Sequence, residues 1–493
     1  MNITNRTIFK NAGFLMVSQL VTWSLSLVLT VFLPRYLGAE AVGQFHLAIS
    51  IWAIMGMLIS FGMDTYLNKS IARTPEMAAG LIGTSLVIRT AFFVIGFGLV
   101  AAYAFVVNYS LQVFWILFII GISILFQQYA TVFRSALEGF ERMHFIALAD
   151  VFSKLFTTVV GITLLLHGSG VLLIATISIG ASLISLGIQS YYFKQTQAIR
   201  LRFNRSLAVE MLRESTTYLS VLIFRTIYIQ IDIIVISLLV NETVIGWYGA
   251  ADSLFGTLLF VPSVLITAVF PALSRLFEEN EEALKQLMHR SFILLLLLSV
   301  PIGLGLFAIA DNVVVLLFGE EFVNSGPVLA IMGIVLIFTY QNMLIGRFLL
   351  ATNRQRKWAV VMAVATLATI PLDLVLIPWS QQTFGNGAIG GASAFIVTES
   401  CMLIVGLNFL PKGSLNRKTL WMAARVVFIG VIMVLVVWQV RSIFLAIPVI
   451  LGILVYGALA LMVGILTSDD LLLLKSLGMN FKYKIRRTQK LPG

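Results

Sequence analysis

The sequence predicts an all-α polytopic membrane protein of about fourteen transmembrane helices, in two pseudo-repeated six-helix lobes plus two further helices. Three observations carry this: a strongly apolar composition, a one-sided distribution of basic residues, and an internal repeat. Of 493 residues, 59% are hydrophobic and 11% charged, and the mean hydropathy is +0.99. Soluble domains sit near 45–50% apolar and about 25% charged, so a soluble enzyme is excluded. A spanning helix uses about 20 apolar residues, and about fourteen of them account for most of the apolar content.

Apolar runs punctuated by charge, glycine or proline place the spans. The first, 12–33, follows Arg6 and Lys10 and ends in LPRYLG rather than a small-residue cleavage site, so it reads as a retained helix. The next five are 42–63, 80–103, 113–133, 146–166 and 171–193. A second set follows at 216–240, 243–273, 290–310, 327–347, 358–378 and 388–410. The run 243–273 is overlong and contains Pro262, which predicts a kink. Runs at 420–440 and 443–466 precede a basic tail containing FKYKIRR, suited to anionic headgroups or to solvent.

With the N-terminus inside, 28 of the 33 Lys and Arg residues fall on cytoplasmic segments, against Arg35 and Arg441 outside and three within spans. That asymmetry predicts a cell-membrane protein with both termini cytoplasmic and explains the net charge of +11 without nucleic acid. The single cysteine, Cys401, excludes a disulfide within the chain, and four scattered histidines do not suggest a zinc centre. Neither a GxxxxGK[ST] loop nor an HExxH or GxSxG motif is present. No cofactor is expected.

LGAEAVGQFHLAIS (37–50) aligns with VNETVIGWYGAADS (240–253) around Gly43 and Gly246, and RSALEGFERMHF from Arg134 aligns with RFLLATNRQRKW from Arg347. The offsets, 203 and 213, keep order and topology. They divide the chain into an N-lobe (1–205), a C-lobe (206–411) and a remainder (412–493) holding two helices and the tail. Two similar lobes facing each other make a cavity that can open to either side, the design of a transporter.

At these residues the chain resembles the polysaccharide (O-antigen, Wzx-type) flippases of the multidrug/oligosaccharidyl-lipid/polysaccharide exporter superfamily. LPRYLGAEAVGQFHLA is similar to that family's opening pattern, and VIGWYGAADSLFGTLLFVPSVLITAVFPALSRL (244–276) to its later counterpart. LLFGEEFVNSGPVLAIMG (316–333), LLATNRQRKW (349–358) and GAIGGASAF (387–395) complete a likeness running through the whole chain. It implies a MATE-like fold, a non-enzymatic role, and transfer of a polyprenyl-diphosphate-linked oligosaccharide from the cytoplasmic to the outer leaflet. It also implies membrane lipids and a glycan polymerase or ligase as pathway partners.

Three cations lie inside spans: Arg89, Lys154 and Arg225. Each stands nine or ten residues beyond its span's cytoplasmic boundary, about 14–15 Å deep, near the middle of a core roughly 30 Å thick. Intramembrane cations mark functional sites by default, and these three are expected to contact the diphosphate or an acidic sugar. The competing role is neutralisation of structural acids: Lys154 stands four residues after Asp150, and Arg225 is within reach of Asp232 or Asp252. Among the membrane acids, Asp232 and Asp252 are the candidates for a proton or sodium coupling site. A hydrogen-bonded helix contact is the competing role there. Asp373, just before Pro378, is expected at the interface, Glu399 is a fourth membrane acid, and Arg35 is expected in a structural loop contact. Two other functions stay open, a cation antiporter of the same fold and a membrane-embedded polysaccharide polymerase or ligase.

Overall fold

Long apolar stretches in lipid satisfy their backbone groups only as helices or closed barrels, and this chain takes the helical solution. The computed structural model describes residues 3–196, 202–411, 413–415 and 417–464. The basic tail lies outside them. Sixteen α-helices and two single 3-10 turns form all the regular structure among the described residues. The first half comprises α1 (Ile3–Leu37), α2 (Ala39–Ser60), α3 (Met63–Arg73), α4 (Ala78–Val106), α5 (Leu111–Gly139), α6 (Met143–Leu166) and α7 (Val171–Thr196). The second comprises α8 (Arg205–Leu239), α9 (Glu242–Leu258), α10 (Phe260–Glu279), α11 (Glu281–Phe318), α12 (Ser325–Ala351), α13 (Gln355–Phe384) and α14 (Ala388–Asn408). Helices α15 (Arg417–Val440) and α16 (Ala446–Met462) follow.

Sixteen helices arise from fourteen predicted spans because the second span of each half is broken. Phe61 and Gly62 both adopt left-handed backbone (φ 50° and 72°), ending α2 and restarting the chain as α3. The break between α9 and α10 falls at Leu259, three residues before Pro262. Pro262 has no N–H for the carbonyl of Leu258, and the Tyr340 hydroxyl donates to that carbonyl instead (2.7 Å). Among the described residues, thirteen helical segments are long and apolar enough to cross a membrane. The 17 described residues of α16 span about 26 Å, and its predicted end at 466 lies outside the described range.

The two halves pack alike. Helix pairs α1–α6, α2–α5, α4–α5, α5–α7 and α6–α7 of the first half reappear as α8–α13, α9–α12, α11–α12, α12–α14 and α13–α14. Across the halves the main seam is α2 against α9, which belongs to the largest apolar cluster through Ala39, Val42, Val244 and Ile245. There the repeated glycines meet: a Cβ on Gly43 would run into the Glu242 carbonyl, and one on Gly246 into that of Ala39. Small residues permit this backbone-to-backbone approach. Helix α8 serves both halves. Leu207 and Met211 are buried with Met63, Leu67 and Ile71, whereas Ile233 and Ile236 join the main cluster. Helix α15 packs on α11, and α16 on α15.

Successive long helices joined by short connections alternate between two faces of the bundle. One face, called basic here, carries Lys69, Arg73, Arg134, Arg142, Arg213, Arg290, Arg354 and Arg356 among others. The far face carries Arg35 and Arg441 with Glu40, Glu242, Glu320 and Glu321.

Candidate functional site

The three membrane cations have different surroundings. Arg89 is wholly enclosed (0% exposed). Its Nη2 donates to Asp64 Oδ1 (2.6 Å), and its Nη1 to Gln128 Oε1 (2.8 Å), the Gln128 carbonyl (3.0 Å) and Thr131 Oγ1 (2.6 Å). Gln128 Nε2 in turn donates to the Gly56 carbonyl (2.9 Å). This chain of bonds reaches α2 before its break, at Gly56, and α3 after it, at Asp64, so Arg89 clamps the Phe61–Gly62 bend. Among the sequence-predicted roles this matches neutralisation of an acid, with Asp64, 40% exposed, as the partner.

Lys154 does not pair with Asp150. That carboxylate accepts instead from Arg134 Nη1 (2.9 Å), whose Nε also reaches Glu138 (3.3 Å). On α6, Lys154 stands between Ala147 and Thr158, both bonded across to α1: Ser18 Oγ donates to the Ala147 carbonyl and Thr158 Oγ1 to that of Leu25 (3.3 Å each). Lys154 is therefore on the α1-facing stripe of its helix, half-buried, and has no hydrogen-bond or ion-pair partner among the described residues. Arg225 is exposed and likewise unpaired among them. It stands seven residues before Asp232, hence on the same face of α8, about 10 Å away along the axis.

The acids form a second cluster in the second half. Asp232, buried, accepts from the Tyr248 hydroxyl, and its other oxygen has no partner among the described residues. Facing it from α13 is Asp373. Asp373 is 0% exposed with both oxygens unpartnered among the described residues, which corrects its expected interfacial position. Asp252 follows Tyr248 by one turn and lies within electrostatic range of Asp232. Two carboxyls side by side in a low dielectric do not both stay ionised unaided. Among the described residues no three His, Cys, Asp or Glu side chains are close enough to hold a metal ion. Any bound cation would need backbone, hydroxyl or water oxygens as well. Glu399 differs: Tyr228 donates to Oε1 (2.9 Å) and Asn342 to Oε2 (2.7 Å), leaving a satisfied interhelical contact. Arg35, expected in a loop contact, instead joins two helix ends, donating from α1 to the Leu316 carbonyl in the last turn of α11 (3.1 Å).

Sequence reasoning missed Asp64, Gln128 and Tyr248, and it named Asp373 without bringing it against Asp232. One signal was available: Gln128 and Gln341 are 213 residues apart, the offset of Arg134 and Arg347. No spacing rule connects Asp64 to Arg89 or Asp373 to Asp232, because each pair meets across helices.

Residues 8–277 match the family described as "Polysaccharide biosynthesis protein", more than half of the chain. The chain belongs to that family. Residues 217–375 also match the MatE family. Among curated relatives, the family member is 22% identical over 391 residues to a probable low-salt glycan biosynthesis flippase, Agl15, of Haloferax volcanii, covering 77% of this chain and 78% of the relative. It is 23% identical over 447 residues to the succinoglycan biosynthesis transport protein ExoT of Rhizobium meliloti (88% and 87%). Its fold is similar to that of the lipid II flippase MurJ in an inward closed conformation (TM-score 0.75, 14% identity, 91% of this chain and 98% of the other). An inward-facing multidrug resistance MATE family transporter of the MOP superfamily is a further neighbour (TM-score 0.59, 15% identity, 82% and 94%). The protein is thus a multi-pass membrane protein with the MurJ/MATE fold.

Proposed function

We propose that this chain is a flippase that moves a polyprenyl-diphosphate-linked oligosaccharide from the cytoplasmic to the outer leaflet for cell-surface polysaccharide synthesis. The observation that carries the reading is the pair of unpaired intramembrane cations, Lys154 in the first half and Arg225 in the second. A cation on a membrane-spanning helix without a carboxylate costs free energy unless something anionic visits it. A diphosphate is such a visitor, and Arg offers it a two-pronged donor. Arg89 joins them as a third contact when the Asp64 pair opens. The printed names of the relatives, a glycan flippase, a succinoglycan transport protein and a lipid II flippase, support the same substrate class.

The N-lobe (1–205) and C-lobe (206–411) rock against each other, with α8 as the shared element, and the basic face is cytoplasmic. Asp232 and Asp252, with Asp373 beside them, bind the coupling proton or sodium ion. Headgroup and diphosphate cross between the lobes while the polyprenyl tail stays in lipid. The chain acts as a transporter, with a polymerase or ligase consuming the product.

The test is a proteoliposome assay with a fluorescent polyprenyl-diphosphate sugar under an imposed proton or sodium gradient, comparing the parent chain with Lys154→Ala and Arg225→Ala. Movement by the parent and loss in both folded variants supports the proposal. Undiminished flipping in both removes the two cations from the mechanism. Efflux of amphipathic cations, without lipid movement, replaces the flippase with an antiporter.

A further inference from the structure

The far face contains a charged contact that joins the two halves and takes no part in the proposed substrate or ion sites. Glu321, in the connection between α11 and α12, directs its carboxylate at the first turn of α2: Oε1 accepts from the Ala39 N–H (2.7 Å). A helix start carries unpaired N–H groups and partial positive charge, and α2 has no side-chain cap of its own. Gly38 fills the N-cap position with φ 79°, and a Cβ there would lie 3.0 Å from both Glu321 carboxylate oxygens. Glycine thus serves both the backbone turn and the approach of the carboxylate. The Glu321 carbonyl accepts from Trp247 Nε1 on α9 (3.2 Å), and Arg35 reaches the Leu316 carbonyl at the end of α11 (3.1 Å). Within a few residues, the α11–α12 connection is bound to α1, α2 and α9 directly above the Gly43–Gly246 seam.

The corresponding connection of the first half, between α4 and α5, touches the second half through neutral groups. Tyr109 and Ser237 hydroxyls share a bond at 2.9 Å at the far end of α8. The two connections occupy equivalent places, and only the second uses a carboxylate.

We infer that Glu321 is a positioning residue for the gate on the far face: its carboxylate, acting as a borrowed N-cap on α2, clasps the halves together when that face is closed. Opening the far face must remove the carboxylate from α2 and leave that helix start to water. The clasp therefore biases the equilibrium toward the far-closed state without touching substrate. Its place in a transport cycle rests on the flippase reading, but its geometry does not.

The experiment uses the full chain in proteoliposomes, in a Cys401→Ser background because Cys401 is exposed. Spin labels at Tyr36→Cys and Val323→Cys, both exposed in the parent, stand on opposite sides of the clasp. Pulsed dipolar distances are compared for the parent, Glu321→Gln, Glu321→Ala and Glu320→Gln. A carboxylate at a helix start changes an equilibrium about two- to fivefold, so the longer-distance population rises by that factor in Glu321→Gln and at least as much in Glu321→Ala. Glu320→Gln, at a neighbouring exposed carboxylate, leaves it unchanged. Thermal melts establish that each variant is folded, and Trp247→Phe, which removes the indole donor together with one ring, gives a smaller shift in the same direction. Distributions that superimpose on the parent in both Glu321 variants overturn the clasp. Lipid flipping is measured in the same vesicles: a distance shift with no lipid movement by the parent keeps the clasp and removes the flippase reading, whereas lipid movement with no shift removes the clasp.

Discussion

The two halves share one helix arrangement but bury opposite charges in it. In the first half, a guanidinium inside α4 is held by Asp64, Gln128 and Thr131, and the network ties both sides of the α2–α3 bend. In the second, the corresponding bend between α9 and α10 is held by the single neutral bond from Tyr340 to the Leu258 carbonyl, while Asp232 and Asp373 face each other without a cation. A buried charge with its counter-charge and hydrogen bonds is held in place, even where the pair stabilises little. The first half therefore answers its buried charge with its own side chains, whereas Asp232 and Asp373 in the second have no Lys or Arg partner among the described residues.

The largest expected effect comes from breaking the ionic clamp. Arg89→Ala leaves Asp64 and Gln128 without their donor, and loss of one partner of a buried pair costs about 3–5 kcal/mol, to be measured as loss of thermal stability in detergent. Replacing both partners, Arg89→Met with Asp64→Leu, recovers most of it. A chain with Arg89→Ala that melts like the parent yet fails to flip lipid would make the substrate contact, not the clamp, the main task of Arg89.

Next is the seam between the halves. Gly246→Ala forces a methyl into the Ala39 carbonyl, and overpacking of this kind costs about 1–3 kcal/mol. Gly43→Ala does the same from the other side. Both variants should widen the far face in spin-label distance measurements, and the pair together should be less than additive because each already separates the same helices.

The neutral clamp is weaker than the ionic one. Tyr340→Phe removes one hydrogen bond to a carbonyl already deprived of its helical donor by Pro262. It is expected to cost about 1–3 kcal/mol, at most about the lower bound for Arg89→Ala. If the two variants destabilise equally, the contrast between the halves is lost.

The smallest stability effects fall on the residues proposed to carry function. Lys154→Ala and Arg225→Ala remove cations that have no partner among the described residues, so thermal stability should change by about 0.5 kcal/mol or less while flipping falls. Asp373→Asn replaces a buried, unpartnered carboxyl by a neutral isostere. Its melting temperature should equal or exceed the parent's, and the dependence of flipping on the imposed ion gradient should disappear.

The sequence by itself determined the class of the protein, the order of its spans, the kink near Pro262 and the two-fold internal repeat. These follow from lipid's demand for long apolar helices and from the residues that break them, and both are local properties of the chain. It also singled out Arg89, Lys154 and Arg225 as cations within apolar helices. Which cation is scaffold and which is free was decided only by the tertiary structure. Asp150 stands four residues from Lys154, yet Arg134 takes it from the neighbouring helix. Asp64 answers Arg89 from a helix that exists only because Phe61 and Gly62 turn left-handed. Asp373, near the end of its predicted span, is carried against Asp232 by the packing of α13 on α8. Charges in a low dielectric act over distances set by helix packing rather than by chain spacing, so their partners become known only when the helices are assembled.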